Sequence, residues 1–326
     1  MTKKSFLNAT IEAIVEEMER DERVFIMGQD LRTGTYGAFP LDRFGDRVRN
    51  LPISEAANVG AAVGAALTGM RPVIDMTVST FLYSGMDQIV NQAAKSRYMF
   101  GGQADVPVVI RATMFYGASQ AAHHTDRPYP MFMNVPGLKI IVPSTAADAK
   151  GLMKSAIREP DPVMVFEDSN LWGTRSEVPD DVDFIIPLGK ADIKQEGDDV
   201  TIVAIANGVR YSLQAAKELS AEGISAEVLD PRTLVPMDWD AIFASVRKTG
   251  RLVVVDPAFR TCGAASEIVT RVVENCYDDL KVAPVRVTAP DMQVPFSPGL
   301  EKEILPNKEK VLAAVHSILP SKAVRV

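Results

Sequence analysis

The sequence predicts an α/β fold in two domains, each with a mainly parallel sheet flanked by helices. Two observations lead there. Short apolar runs with the look of buried strands alternate with longer amphipathic or small-residue runs along most of the chain, the pattern of parallel strands covered on both faces. That alternation also stops once, across a polar stretch at 168–198 punctuated by Gly and Pro, and then resumes. A length of 326 residues is enough for two full cores.

The elements follow in order. Phe6, Leu7, Ile11, Ile14, Val15 and Met18 recur at helical spacing and predict an amphipathic first helix. "VFIMG" (24–28), "RPVIDM" (71–76), "VPVVIRA" (106–112), "LKIIVP" (138–143) and "PVMVFE" (162–167) read as buried strands. Helices are expected at 55–69, 84–99 and 145–158, the last opening on the cap-like "PSTAADAKGL". After the connection, strands are expected at 200–206, 224–230, 251–256 and 285–289, with helices at 209–222, 238–247 and 264–275. The domain boundary is placed at 185/186, giving domains 1–185 and 186–326.

Composition narrows the function. With 35 Lys and Arg against 42 Asp and Glu, the net charge is -7, which argues against general binding to nucleic acid or an anionic membrane. Cys262 and Cys276 are the two cysteines and lie far apart, so a disulfide framework or zinc site is not expected and a reducing cytoplasm fits. The small-residue run at 54–70 is too short for a membrane span. The dinucleotide fingerprint GxGxxG, the phosphate-loop GxxxxGK[ST], HExxH and GxSxG are all absent.

Two places could carry chemistry. In "LPISEAANVGAAVGAALTGMRP", Glu55 opens a long uncharged run of Ala, Gly and Val. A first-turn acid favoured by the helix dipole, or a cap built with Ser54, would account for it. The small side chains also allow close approach by another backbone, which strips water from a carboxylate and favours a partner that shares its proton. The second place is "GASQAAHHTDRPY", where His123 and His124 follow a buried strand, a position where open α/β sheets bind ligands. Packing is the other reading of this pair, and His316 fits packing or surface at helical spacing in "VLAAVHSIL".

"PISEAANVGAAVGAALTGMRPV", "MDQIVNQAAKSRYMFGG", "PGLKIIVPSTAADAKGLMKSAIREPDPVMVFE" and "DPRTLVPMD", taken together, resemble the beta subunit of thiamin-diphosphate-dependent 2-oxo acid dehydrogenases, the decarboxylating first component of pyruvate, branched-chain and acetoin dehydrogenase complexes. The likeness runs from about residue 4 to 320. It implies a pyrimidine-binding thiamin diphosphate domain followed by a transketolase C-terminal-like domain. It implies that Glu55 bonds the pyrimidine ring nitrogen and activates the cofactor, and that His124 faces the thiazolium and moves protons. Phe81 falls where the family has an aromatic against the pyrimidine, with a core Phe as the other reading. In some members potassium is held by backbone carbonyls, matched here by Val108, Ala156, Ile157, Glu159 and Asp161.

The chain departs from the pattern beside His124. Where the family reads His-Ser-Gln, this sequence has His124-Thr125-Asp126-Arg127-Pro128, and Asn134 stands where a second His is usual. The GDG motif with following Asn residues, which carries Mg2+ and the diphosphate, is missing from the whole sequence. The resemblance therefore implies an alpha subunit in an α2β2 heterotetramer, with a lipoyl acyltransferase core as the acyl acceptor's carrier. The substrate it implies is a 2-oxo acid. An acyloin- or ketone-cleaving homologue, a non-catalytic scaffold subunit and half of a split transketolase are the alternatives.

Overall fold

The computed structural model describes residues 1–31 and 41–319. Its strands, in chain order, are β1 (Thr2–Ser5), β2 (Val24–Gly28), β3 (Val48–Asn50), β4 (Arg71–Val78), β5 (Val109–Met114), β6 (Lys139–Ile141), β7 (Val163–Asp168), β8 (Arg175–Val178), β9 (Asp192–Gln195), β10 (Val200–Ala204), β11 (Ala226–Asp230), β12 (Thr233–Val235), β13 (Leu252–Phe259) and β14 (Val285–Ala289). The chain forms two compact units. The first comprises Met1–Lys190, Arg232–Pro236 and Val294–Pro298, and the second comprises Ala191–Pro231, Met237–Gln293 and Gly299–Val326.

The first unit is built on a seven-stranded sheet of order β12-β6-β7-β5-β4-β2-β3. Every pair from β6 to β3 is parallel, and only the edge strand β12 runs antiparallel, against β6. The expected strands are apolar on both faces because both faces are covered. On one face the Phe6–Arg20 helix packs with the Ala146–Arg158 helix, and Ile11, Ile14 and Met18 join Val24, Val73, Val109, Leu152 and Val163 in one core. Lys150 and Lys154 lie fully buried between these helices, where Glu12 and Glu16 take their charges at 2.5–2.8 Å. Such a buried pair offsets its own desolvation only when both partners stay, so it fixes the helix register more than it adds stability.

The polar stretch after β7 is not a free connection. β8 pairs antiparallel with β1, and Phe184, Ile186 and Leu188 pack on the first unit's core. Ile186 donates its N–H to the Gly151 carbonyl at 3.2 Å and accepts from the Ser155 hydroxyl at 2.6 Å. Three apolar residues at alternate positions among Asp and Pro are enough to anchor an extended segment.

In the second unit, β14, β13, β10 and β11 form a parallel sheet, with β9 antiparallel at its edge. The Asn207–Ala221 and Lys308–Ile318 helices share a core with these strands through Val209, Leu219, Val311 and Val315. His316 is on the surface of the last of these helices, with Nε2 2.9 Å from Glu222 Oε2.

Candidate active site

The parallel strands of the first unit all end on the same side of their sheet. The segments leaving the carboxyl ends of β2, β3, β4 and β5, four adjacent strands, carry Gln29, Glu55, Phe81 and His124. A close approach at Gly28 packs β2 against β4: a β-carbon there would lie 2.7 Å from the Asp75 carbonyl oxygen.

Beneath the site, each of three neighbouring strands contributes one charged side chain to a fully buried network. Arg111 of β5 makes a forked pair with Glu167 of β7, at 2.9 and 2.7 Å, and also bonds Asp75 of β4. Trp172 adds its indole N–H to Glu167 at 3.2 Å. Bidentate pairing of this kind sets geometry as well as energy. Just beyond Asp75, β4 slips register against β5, and Thr77 takes a left-handed φ of 61°, its N–H bonded to Asp75 Oδ1 at 2.7 Å. A side-chain-bearing residue costs about 1–2 kcal/mol in that conformation. The rigid network and the kink above it aim the chain into the turn Ser79–Gly85.

That turn carries Phe81, and the segment after β5 carries His124. Their rings meet edge to face with centroids 5.5 Å apart. His123 is exposed and stacks at a tilt on His124, 4.1 Å between centroids. Ser119 and Ala121 also hold left-handed φ angles, 56° and 60°, so the segment leading into the His pair is strained. Burial first, and then the neighbouring His123, hold the His124 imidazole below its ordinary pKa. It is therefore a neutral proton acceptor at pH 7.

Glu55 is the first residue of the Glu55–Leu67 helix and is half-buried. Ser54 makes no side-chain cap hydrogen bond, so the capping account of this acid does not hold. Gln29 Nε2 donates to Glu55 Oε1 at 3.4 Å, a long bond. Gly85 brings the Phe81 turn against the start of the Glu55 helix, since a β-carbon there would lie 3.2 Å from Val59 and 3.6 Å from the Glu55 carbonyl. The structure thus gathers Glu55, Phe81 and His124 in one region.

The carbonyl set matched to potassium lies elsewhere. Val108 precedes β5, and Ala156, Ile157, Glu159 and Asp161 precede β7, at the amino ends of these strands. Arg71 Nη1 donates to the carbonyls of Ile157 at 2.8 Å and Glu159 at 3.2 Å, and Val108 accepts from the Val163 N–H at 3.0 Å. The Asp161 carboxylate pairs with Arg97 at 2.9 Å. A carbonyl oxygen has a second lone pair, so these bonds leave acceptor capacity toward a cation.

Gln29 and the Arg111 network were not among the sequence candidates. One signal pointed to the latter: the apolar strands "VID", "VIRA" and "VFED" each hold a charge where none is affordable unless paired.

Comparison with known proteins fits this layout. The profile "Transketolase, pyrimidine binding domain" matches residues 2–173, and "Transketolase, C-terminal domain" matches 189–311. The acetoin:2,6-dichlorophenolindophenol oxidoreductase subunit beta of Bacillus subtilis is 43% identical, covering 97% of each chain. The pyruvate dehydrogenase E1 component subunit beta of Rhizobium meliloti is 41% identical over 94% of this chain and 68% of its own. The 2-oxoisovalerate dehydrogenase subunit beta of Bacillus subtilis is 39% identical over 98% and 99%. Among solved structures, a split-gene transketolase described as an inactive beta4 tetramer superposes with a TM-score of 0.81 at 26% identity, covering 96% of this chain and 97% of that one.

Proposed function

The chain belongs to the transketolase-like family that includes the beta subunits of pyruvate, 2-oxoisovalerate and acetoin dehydrogenating enzymes, and from that premise we propose that it is the beta subunit of a thiamin-diphosphate-dependent 2-oxo acid dehydrogenase. In this reading it works with an alpha subunit, and the acyl group passes to a lipoyl arm on an acyltransferase core. The observation that carries the reading is the convergence of Glu55, Phe81 and His124 at the carboxyl ends of adjacent parallel strands, with Phe81 and His124 in ring contact.

Thiamin diphosphate, when bound, supplies a cationic thiazolium ring that bonds to a carbonyl carbon and acts as the sink for the electron pair left when another bond to that carbon breaks. The residues present suit its pyrimidine half. Glu55, a half-buried carboxylate at a helix start, would share a proton with a ring nitrogen, and the Phe81 ring would pack on the pyrimidine. His124, neutral at pH 7, would accept or return a proton beside the substrate carbonyl. For the diphosphate half the GDG motif is missing from the sequence, so we assign Mg2+ and the diphosphate to the alpha subunit.

Surfaces available for assembly support this division. Ala57, Ala61 and Gly64 form an exposed row of small residues on the Glu55 helix, and Tyr98, Met99 and Phe100 are exposed at the end of the 86–99 helix. We also propose potassium at the carbonyls of Val108, Ala156, Ile157, Glu159 and Asp161, held by the lone pairs that Arg71 and the strand bonds leave open.

The assay that tests this uses the chain co-expressed with its alpha subunit and an artificial electron acceptor, against a panel of 2-oxo acids and acyloins. The expected result is acceptor reduction with a 2-oxo acid, dependent on thiamin diphosphate and Mg2+, with a higher melting temperature in potassium than in sodium. Turnover of acyloins alone would transfer the assignment to a carbon–carbon cleaving homologue. Cofactor binding without turnover of either class would make the chain a scaffold. Equal stability in both salts would remove the potassium.

A further inference from the structure

Tyr83 and Asp126 have no part in the chemistry above, yet they join the two segments that hold the site. The Tyr83 hydroxyl donates to Asp126 Oδ2 at 2.8 Å across 43 residues of sequence. Burial, and then the Asp126 charge, hold the phenol above the ordinary tyrosine pKa, so it remains a donor throughout the physiological range. Two more bonds run between the same segments. Ser79 Oγ donates to the Asp126 carbonyl at 2.7 Å, and Thr80 Oγ1 donates to the His123 carbonyl at 2.7 Å. Carbonyls on both sides of His124 are thus tied to the turn Ser79–Gly85, the same turn that sets Phe81 against the His124 ring.

The three ties are not equivalent. Ser79 and Thr80 are buried and bond to backbone, which any residue at 123 or 126 would offer. Tyr83 is 39% exposed, and its bond depends on an acceptor side chain at 126 rather than on the backbone. The segment it restrains is the strained one, with left-handed Ser119 and Ala121 just upstream. Thr125, between His124 and Asp126, is itself held by its hydroxyl, which donates to the Ala121 carbonyl at 2.9 Å. A charge-assisted bond at the far end of that segment closes it against relaxation.

We propose that Tyr83 and Asp126 form a latch that keeps His124 edge-on to Phe81, making both of them positioning residues for the proton transfer assigned to His124. The inference rests on that assignment for its kinetic consequence but not for its structural one.

The test compares Tyr83→Phe, Asp126→Ala and Asp126→Asn in the full chain and in its complex with the alpha subunit. The chain has three histidines, so selectively labelled imidazole resonances can be assigned by substituting His123 and His316 in turn. In the parent, the His124 signal should be narrow and displaced by the Phe81 ring current. Tyr83→Phe and Asp126→Ala should shift or broaden it while leaving His316 and the melting temperature unchanged. In the complex these two variants should lower kcat by roughly ten- to hundredfold, the scale of a displaced catalytic group, with KM and cofactor affinity held. Asp126→Asn, whose amide oxygen still accepts from the phenol, should stay within about threefold of the parent. A displaced His124 signal with no loss of kcat keeps the latch and removes His124 from the reaction. An unmoved His124 signal in Tyr83→Phe overturns the latch. So does Asp126→Asn behaving like Asp126→Ala, or a collapse of all three histidine signals together with the melting temperature.

Discussion

Glu55→Gln, in the assembled enzyme, is expected to fold normally and to lose turnover by roughly 10²- to 10⁴-fold, the range that a positioned acid–base group contributes. The structural side of this expectation comes from where Glu55 sits. It is the first residue of its helix, half-buried, and its side-chain bond to Gln29 is long at 3.4 Å. A first-turn acid gains about 0.3–1 kcal/mol from the helix dipole, so its loss is a small matter for stability. The side chain of Gln has the same size and cannot share a proton in the same way. Thermal melts of parent and variant should therefore coincide while kcat falls, and Glu55→Ala should behave alike. Near-parental turnover in either variant, with the alpha subunit present, would remove Glu55 from the mechanism.

His124→Ala should lower turnover by roughly 10²-fold or more while cofactor affinity holds, because His124 contacts Phe81 beyond the residue assigned to the pyrimidine ring nitrogen. The sign of the pH dependence follows from its environment. Burial and His123 favour the neutral imidazole, so the proton-accepting form persists below the usual histidine range. Activity of the parent should be flat from neutral pH downward and fall only as pH drops through that lowered pKa. The corresponding limb should vanish from the residual activity of His124→Ala. His123, exposed, is the internal control. If His123→Ala were the damaging change and His124→Ala silent, the role would belong to the neighbouring residue.

Much of the first unit was legible because parallel strands buried on both faces leave continuous apolar runs, and all five of its predicted strands are present with the expected parallel pairing. The Glu55 run stood out because one charge opening a stretch of Ala, Gly and Val is chemically conspicuous. Other features were hidden by distance along the chain. β12, three residues at 233–235, closes the edge of a sheet whose other strands lie before residue 170. Phe184, Ile186 and Leu188, with Ile185 and Pro187 between them, form too short a run to show a period within a stretch rich in Asp, yet they place that stretch on the core. The Tyr83–Asp126 bond joins an ordinary surface tyrosine to an ordinary loop aspartate, and neither residue carries a local sign of its partner.

The central claim is that this chain holds one half of a thiamin diphosphate site and depends on a second chain for the other. Titration calorimetry with thiamin diphosphate and Mg2+, on the isolated chain and on the chain paired with its alpha subunit, tests it most directly, with light scattering to give the mass of each species. The account predicts little or no heat from the isolated chain, whatever its own state of association, and tight, Mg2+-dependent binding by a heterotetramer with one cofactor per pair of chains. Tight, Mg2+-dependent binding by the isolated chain would contradict it.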